Sequence, residues 1–302
     1  MTEKTVRTGE RLAVSYDITN RGQSDGEQTV ELWLDGEVAD SEALVLDTGE
    51  MGRMSLVTDA FTDEDDDQLY EVEIVTDDRV AQVMTVEVTA IPDAVDNHWP
   101  IDEGSGTTLN DQEGSREFTV VGATWDGTDL LFDGTDDYAD EPNSDGYFAG
   151  LDDFSFFGWA NANAFPSEAT LAAVYDTGND ERSWEILIEN SGENWRLNTS
   201  TDGSAVDFAT ANDSFSAGSW FSFAVTRRAS DGQVEFYRDA SSLTTDTATS
   251  GTLHATTVDA RFADRTSGGL NWDGYLKAFA FAKDHIFSSS EVQTLHDRTD
   301  PR

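Results

Sequence analysis

The sequence has 302 residues, of which 61 are acidic and 18 are basic, so its formal net charge is −43 at pH 7. A chain this acidic offers no basic patch to neutralise phosphates, which argues against nucleic-acid binding. It contains no cysteine, and disulfides and thiol chemistry are therefore excluded. No apolar stretch is long enough for a membrane span, and the first residues lack the apolar core of a signal peptide.

The aromatic content indicates a folded chain in spite of this charge. Eight Trp, 17 Phe and seven Tyr are too many for a disordered acidic segment. Self-repulsion opposes compaction at ordinary ionic strength, but in about 1 M salt the Debye length falls to about 3 Å and the repulsion is screened. We therefore expect a protein of a high-salt environment, from a haloarchaeon or one of its viruses. Without a recognisable secretion signal, release by cell lysis and a place on a virion are favoured over secretion.

Residues 1–90 consist of short runs in which apolar and polar positions alternate, as in β-strands. The Asp35-Gly36 pair follows one such run and predicts a tight hairpin turn. There are roughly seven runs, which suits an immunoglobulin-like sandwich. The pattern V-x-x-G-E-x-L-x-V-S-x-x-I-T-N-x-G, followed by T-V-E-L-W-L-D-G and D-T-G-E, resembles the cell-adhesion-related (CARDB-like) domains of archaeal surface proteins. The resemblance implies a spacer or stacking module.

Residues 91–97 contain one proline and are predicted to link this domain to a second one over residues 98–302. The second domain begins with W-x-x-D/E-G-x-G, then N-D-x-x-G, then L-x-F-D-G-x-D-D-Y. Further along it has W-x-x-x-A-V-T-R followed by D-G-x-V-x-F-Y-x-D. The order of these motifs resembles laminin-G-like domains of the concanavalin A type. The resemblance covers residues 95–298 and implies a jelly-roll sandwich.

Alternation within the second domain predicts the orientation of its strands. Phe154 and Phe156 should share one face of a strand and Phe157 the other. Near the end of the chain, Ser288 and Glu291 have the spacing of a helix capping box. The predicted fold is all-β, with an N-terminal immunoglobulin-like β-sandwich and then a concanavalin A-like jelly-roll β-sandwich that ends in a short helix.

The carboxylates give little support to an enzyme. Related glycoside hydrolases carry acids that alternate along one strand, as in E-x-D-x-E. Here Glu185 and Glu189 lie four residues apart, and Leu187 replaces the central acid. The four histidines have no metal-ligand spacing, and no nucleophile elbow occurs. We predict that the protein is not an enzyme, and a glycosidase is the least favoured function.

Calcium is a candidate cofactor because related sandwiches often bind it at one rim. The resemblance implies turn carboxylates as ligands. Lys277 stands where the family's closing strand usually has an acid, and a cation there would weaken a calcium site at that rim. The candidate ligands are Glu103, Asp111, Asp133, Asp136 and Asp137.

Four aromatic residues near predicted turns are candidates for stacking on sugar rings: Trp125, Tyr138, Tyr175 and Trp272. The alternative for each is a place in the core, since aromatic side chains supply most of the apolar volume of this sequence.

These features favour a non-enzymatic surface protein of a haloarchaeal virus, such as a spike, turret, decoration or tail-associated protein. Its jelly roll would bind a host-surface glycan or glycoprotein, and its other partners would be virion or surface-layer proteins or further copies of the chain. Membrane insertion is not expected. The alternatives are a secreted haloarchaeal carbohydrate-binding adhesin and a purely structural component.

Overall fold

The computed structural model describes residues 2–7, 11–21, 24–59, 61, 69–76, 79–89, 91–189 and 191–301. The chain divides into two compact units, Met1–Ala90 and Ile91–Arg302. Nearly all regular structure is β-strand, and one helix lies near the C-terminus, which confirms the predicted all-β class with a short terminal helix. In the part of the chain that the structure describes, no helix has the length and apolarity of a membrane span.

The first unit has seven strands in its described residues, in agreement with the predicted number. A five-stranded sheet has the order β1-β7-β6-β3-β4, with β1 parallel to β7, and a second sheet pairs β2 with β5. Asp35 and Gly36 both have positive φ, 48° and 85°, which is the geometry of a type I′ hairpin turn. The strands are β1 Thr2–Arg7, β2 Ala13–Thr19, β3 Gly26–Leu34, β4 Glu37–Leu46, β5 Met51–Val57, β6 Leu69–Thr76 and β7 Arg79–Thr89.

One apolar core joins the two sheets of the first unit. Val14 and Leu56 come from the two-stranded sheet, and Leu32, Ile74 and Val86 come from the five-stranded sheet. All five are at most 4% exposed. The unit is therefore a two-layer sandwich, and its immunoglobulin-like character stays a prediction from the sequence.

The second unit contains two larger sheets, which we call the front sheet and the back sheet. The front sheet has the order β18-β17-β16-β15-β22-β13-β10-β9, and the back sheet has the order β11-β12-β23-β14-β19-β20-β21 with β8 beside β23. All pairings in both are antiparallel. The elements are β8 Asn97–Trp99, β9 Thr108–Leu109, β10 Phe118–Val121, β11 Thr124–Asp126, β12 Asp129–Asp133, β13 Tyr138–Glu141, β14 Phe154–Ala162, β15 Glu168–Asp176, β16 Glu181–Glu189, β17 Asn194–Thr199, β18 Asp207–Asn212, β19 Phe221–Arg227, β20 Gln233–Arg238, β21 Ser241–Thr247, β22 Ala260–Phe262, β23 Asp273–Lys283 and α1 Ser289–Thr299.

Aromatic side chains fill the space between the front and back sheets. Phe118 and Phe262 stack with ring centroids 3.9 Å apart, and Phe279 meets Phe262 edge-on at 4.7 Å. Phe154 and Phe156 belong to this core, as their alternation predicted. Contacts of this kind add to the free energy gained by burying the rings.

The helix α1 covers the outer face of the back sheet. Phe157 and Trp159 point to this face and cluster with Leu295 of the helix. The Trp159 indole N–H donates to Thr299 Oγ1 at 2.9 Å. The capping box predicted at Ser288 is present at the start of the helix. The predicted two-faced strand and the predicted helix start are both confirmed.

The segment that we predicted to be a linker, residues 91–97, is part of the second unit. Val95 lies in the apolar cluster on the outer face of the back sheet, and Asn97 begins β8 opposite Phe281. Asp96 accepts the backbone N–H of Lys283 at 2.7 Å. An apolar residue and backbone pairing at its end explain why this stretch folds with the sandwich.

Arg227 shows how an arginine serves the fold. Its side chain has no exposed surface and donates to the backbone carbonyls of Asp152, Thr249 and Gly251 at 2.7, 2.8 and 2.6 Å. Burial lowers its pKa to about 10, although nearby acids oppose the shift. The guanidinium thus holds two loops to the end of β19.

Candidate functional site

The outer face of the front sheet is lined by polar side chains, in contrast to the helix-covered face of the back sheet. Along β16, Trp184, Ile186 and Ile188 enter the core, so Glu185 and Glu189 point outward. The same alternation in β17 and β18 turns further polar and aromatic side chains outward: Asn194, Arg196, Asn198, Phe208 and Thr210.

Strand register brings residues that are distant in sequence into one row across this face. Phe208 lies opposite Asn198, and Asn198 lies opposite Glu185. Glu185 in turn lies opposite Ala173, which lies opposite Arg261. With strands about 4.8 Å apart, the row is about 19 Å long. We call it the front-face row.

Glu185 is the buried centre of the front-face row. It has no exposed surface and accepts from Thr170 Oγ1 at 2.7 Å and from Asn198 Nδ2 at 2.9 Å, and Arg265 lies 3.7 Å away. Burial raises the pKa of its carboxyl, and Arg265, Thr170 and Asn198 partly offset the shift. Because Asn198 donates to Glu185, its carbonyl oxygen is left as an acceptor. That atom is buried and has no hydrogen-bond partner among the described residues.

Three arginines lie in or beside the front-face row, and we call them the front-face arginines: Arg196, Arg261 and Arg265. Arg196 donates to Glu189 at 3.1 Å, and Arg261 donates to the Arg265 carbonyl at 3.3 Å. No hydrogen bond joins the Arg265 guanidinium to a described residue, since its contact with Glu185 is an ion pair at 3.7 Å. The Nε atom of each front-face arginine is buried without a partner in the described part of the chain.

Phe208 supplies an aromatic ring at the end of the row. It is 48% exposed, more than any other aromatic side chain that the structure describes. The Arg196 guanidinium lies over its ring at 4.2 Å from the centroid. A cation on a ring face holds both groups in place, so Phe208 offers a fixed apolar surface beside polar groups.

The four aromatic residues predicted to stack on sugars have different environments. Trp272 has no exposed surface, and Trp125 is half-buried on the back sheet with its indole N–H bonded to the Gly106 carbonyl at 3.0 Å. Tyr138 lies on the front sheet with Arg261 over its ring at 4.1 Å. Tyr175 is 3% exposed near Glu185, and burial raises its pKa to about 12. Trp272 belongs to the core and Tyr175 is buried outside it, so neither ring offers a free face to a sugar.

Three of the five predicted calcium ligands come together. Asp133, Asp136 and Asp137 each place a carboxylate oxygen within 4.8 Å of the others. Burial raises the pKa of Asp137, and the charges of Asp133 and Asp136 raise it further, although the Asp133 backbone N–H opposes this. Hard oxygen donors with mutual repulsion suit calcium, so the donor set fits and the calcium site stays a prediction.

The other two predicted ligands are used by local turns. The Asp111 carboxylate accepts the backbone N–H groups of His98, Gly114 and Arg116 at 2.9 to 3.0 Å. Glu103 accepts from Asn110 at 2.8 Å. Both acids stabilise loops away from the aspartate cluster.

Lys277 does not occupy the rim of the aspartate cluster. It donates to Asp129 at 2.7 Å, at the start of β12. Asp133 ends that strand and lies opposite Asp273. The ammonium therefore lies at the other end of the strand, and our expectation that it would oppose calcium binding does not apply to Asp133, Asp136 and Asp137.

Glu185 and Glu189 are poorly placed to act as a glycosidase pair. Four residues along a strand separate their Cα atoms by about 13 Å, and paired carboxylates of glycosidases lie about 5 to 9.5 Å apart. Glu189 is also paired with Arg196.

A groove lies among the loops at one end of the sandwich, with a volume of about 380 Å³. His254 and Glu181 pair beside it at 3.0 Å. We call it the rim groove, and it is lined by Ser144, Asp145, Gly146, Glu181, Ala255, Thr256 and Thr257.

Residues 133–293 match the laminin-G-type family described as the concanavalin A-like lectin/glucanases superfamily. The chain belongs to this superfamily. No curated protein matches the sequence. The matched residues include strands β13 to β23, which form most of the front and back sheets, and the jelly-roll prediction is confirmed.

Solved structures with a similar fold include binding domains of botulinum neurotoxins and one domain of an arabinanase. The botulinum neurotoxin serotype D binding domain is 12% identical with a TM-score of 0.53, over 68% of this chain and 51% of that one. Domain 4 of AbnA, a GH43 extracellular arabinanase from Geobacillus stearothermophilus solved with arabinotriose, is 14% identical with a TM-score of 0.53, over 67% and 98%. The binding domain of botulinum neurotoxin DC, solved with SialylT, is 13% identical with a TM-score of 0.51, over 69% and 52%. This chain thus spans about half the length of the neurotoxin domains.

Sequence reasoning missed Phe208, Asn198 and the front-face arginines. A signal was present in the run Asn194-Trp195-Arg196-Leu197-Asn198, where large polar side chains alternate with core residues.

Proposed function

We propose that the protein is a non-enzymatic attachment protein whose second unit binds a glycan on the outer face of the front sheet. The observation that carries the proposal is the front-face row, where an exposed ring, Phe208, adjoins a preoriented amide, Asn198. Sugar rings present apolar C–H faces and hydroxyl groups, and a ring beside fixed hydrogen-bonding groups is complementary to both.

The relatives in fold add support. Two of them were solved with SialylT and arabinotriose, in a toxin binding domain and an arabinanase domain. Low identity limits this support to the fold, so the glycan itself is a proposal for this chain. The non-enzymatic part of the proposal is supported by the distance between Glu185 and Glu189 along β16.

We propose the surface of a haloarchaeal virus as the place where the protein acts, with the first unit as a spacer. The net charge of −43 supports a high-salt setting. Mass spectrometry of purified virions and of cell envelopes separates this proposal from the alternative, a secreted haloarchaeal adhesin. Enrichment of the chain in envelopes of uninfected cells would reject the virion.

The test of glycan binding uses the full chain on intact haloarchaeal cells in about 1 M salt, where its self-repulsion is screened. We expect the wild type to bind cells and to lose binding when surface glycan is removed enzymatically or chemically. Phe208→Ala should bind less, and Val45→Ala should bind normally because this exposed side chain lies in the first unit. Equal binding to stripped and intact cells would contradict the proposal.

A further inference from the structure

The arginines that the structure describes differ in how many of their terminal N–H donors are used, although Arg227 and Arg238 also have a buried Nε atom without a partner. Arg227 donates to three carbonyls, and Arg182 donates to Asp180 and to three further carbonyls. The front-face arginines together make two side-chain hydrogen bonds to described residues. A guanidinium has several N–H donors in a rigid plane, so most donors of the front-face arginines are unused.

Only the Nε donors among them are buried, and the unused terminal N–H groups reach the surface, where a ligand can contact them. The side chains of Arg196 and Arg265 are 24% and 21% exposed. Buried polar groups without partners are rare in proteins because each one costs free energy. Asn198 lies in the same place, 7% exposed, with an unpartnered carbonyl oxygen. The site therefore presents one acceptor and several charged donors to a common ligand.

The acids near these arginines accept few of their N–H donors. Glu189 takes one donor of Arg196. Glu185 is buried and shares its oxygens with Thr170 and Asn198, so it reaches Arg265 only at 3.7 Å. Asp140 lies opposite Arg261 in the sheet and Asp264 lies near Arg261 and Arg265, but neither acid accepts a hydrogen bond from the side chains of these arginines among the described residues.

From these observations we infer that the glycan bound on the front face is anionic and carries a carboxylate or sulfate group that the front-face arginines bind. This inference rests on the proposed function and names its ligand class. Planar guanidinium groups match the oxygens of both anions. A ligand hydroxyl donates to the Asn198 carbonyl, and the sugar ring packs on Phe208.

The high-salt setting is compatible with an anionic ligand. In about 1 M salt the Debye length is about 3 Å, so the repulsion between the ligand and the rest of the acidic chain is screened. A guanidinium–anion hydrogen bond of about 2.8 Å acts within that distance. At this salt concentration the guanidinium–anion hydrogen bonds therefore still form, whereas the repulsion between the ligand and the distant acids is screened.

The test compares probes that differ only in charge. Calorimetric titration of the full chain in about 1 M salt uses dextran sulfate against dextran, and oligogalacturonate against its methyl ester. We expect one or both charged probes to bind at least about tenfold more tightly than their neutral partners. The two pairs distinguish a sulfate from a carboxylate ligand.

Arg265→Gln and Arg196→Gln should each weaken binding of the charged probe by about tenfold or more, because hydrogen bonds to a charged group are lost. The matched control is Arg228→Gln, an exposed arginine paired with Asp231, and it should bind as the wild type does. Near-ultraviolet circular dichroism establishes that each variant is folded. Phe208→Ala leaves all charges in place. Weaker binding of the charged probe by this variant would show that the probe binds on the front face.

Three results would overturn the inference. Equal affinity for charged and neutral probes would leave a glycan-binding protein without selectivity for anions. Equal losses in Arg228→Gln and Arg265→Gln would indicate a general effect of charge. Absence of binding to every charged probe would overturn it too. In that case, glycan-dependent binding to cells would leave the proposed glycan-binding function standing. Absence of cell binding by the folded chain would reject both that function and the anionic ligand.

Discussion

The contrast between structural and front-face arginines leads to a quantitative prediction for Arg227→Gln. Arg227 donates to three backbone carbonyls at 2.6 to 2.8 Å. A glutamine replaces at most part of this set, and each hydrogen bond lost from the charged guanidinium costs about 1.5 to 3 kcal/mol. The buried charge itself opposes folding, since burial lowers the pKa of Arg227 to about 10. We therefore expect a net loss of about 3 kcal/mol in the free energy of unfolding.

A loss of this size is readily measured in the second unit. For a domain of about 150 to 250 residues each kcal/mol shifts Tm by about 2 to 4 °C, so Arg227→Gln should lower Tm by about 6 to 12 °C. The transition is followed by near-ultraviolet circular dichroism, because seven of the eight tryptophans lie in this unit.

Arg228→Gln is the matched control, because the exposed ion pair of Arg228 with Asp231 contributes at most about 1 kcal/mol. A Tm for Arg227→Gln as close to the wild type as that of Arg228→Gln would refute the view that Arg227 holds these loops in place.

Three further predictions concern protons, calcium and salt. Burial raises the pKa of Glu185, so its contribution favours folding below its ordinary value of 4.5 and is lost as pH rises through the raised pKa. The unfolding free energy of the wild type minus that of Glu185→Gln should accordingly fall as pH rises from 4.5, and a difference independent of pH would contradict this. Calcium at about a hundredfold excess over Kd should stabilise the wild type by about 2.7 kcal/mol and leave an Asp133→Asn/Asp137→Asn variant unchanged. Glu103→Gln is the control for calcium and should respond fully, and equal responses of all three proteins would argue against the cluster. Transfer from about 1 M to millimolar salt should weaken the near-ultraviolet signal as screening is lost, and a constant signal would count against a halophilic protein.

Much of the fold could be predicted because the signals that specify it are local. Alternation along β14 correctly assigned Phe154 and Phe156 to the core and Phe157 to the other face. The turn at Asp35-Gly36 and the helix start at Ser288 depend on neighbouring residues alone. Such features follow from backbone and side-chain geometry over a few residues.

The candidate site could not be predicted in the same way because it depends on register between distant strands. Arg265 reaches Glu185 across 80 positions of sequence, and Arg261 joins the row through its pairing with Ala173. Alternation along the strand correctly indicates that Glu185 points outward. It does not indicate that Glu185 is buried, because the burial comes from residues distant in sequence. Trp272 is the opposite case: its position near a predicted turn suggested an exposed ring, but the side chain is fully buried.

The central claim is that ligand binds on the front face and not in the rim groove. The most direct test is the affinity of the full chain for glycan released from haloarchaeal cells, measured for Phe208→Ala and for Thr257→Ala, an exposed residue of the groove. Loss of the ring contact, worth about 1 kcal/mol, should weaken binding by Phe208→Ala about fivefold, with Thr257→Ala unchanged. Weaker binding by Thr257→Ala together with normal binding by Phe208→Ala would contradict the account and place the ligand in the rim groove.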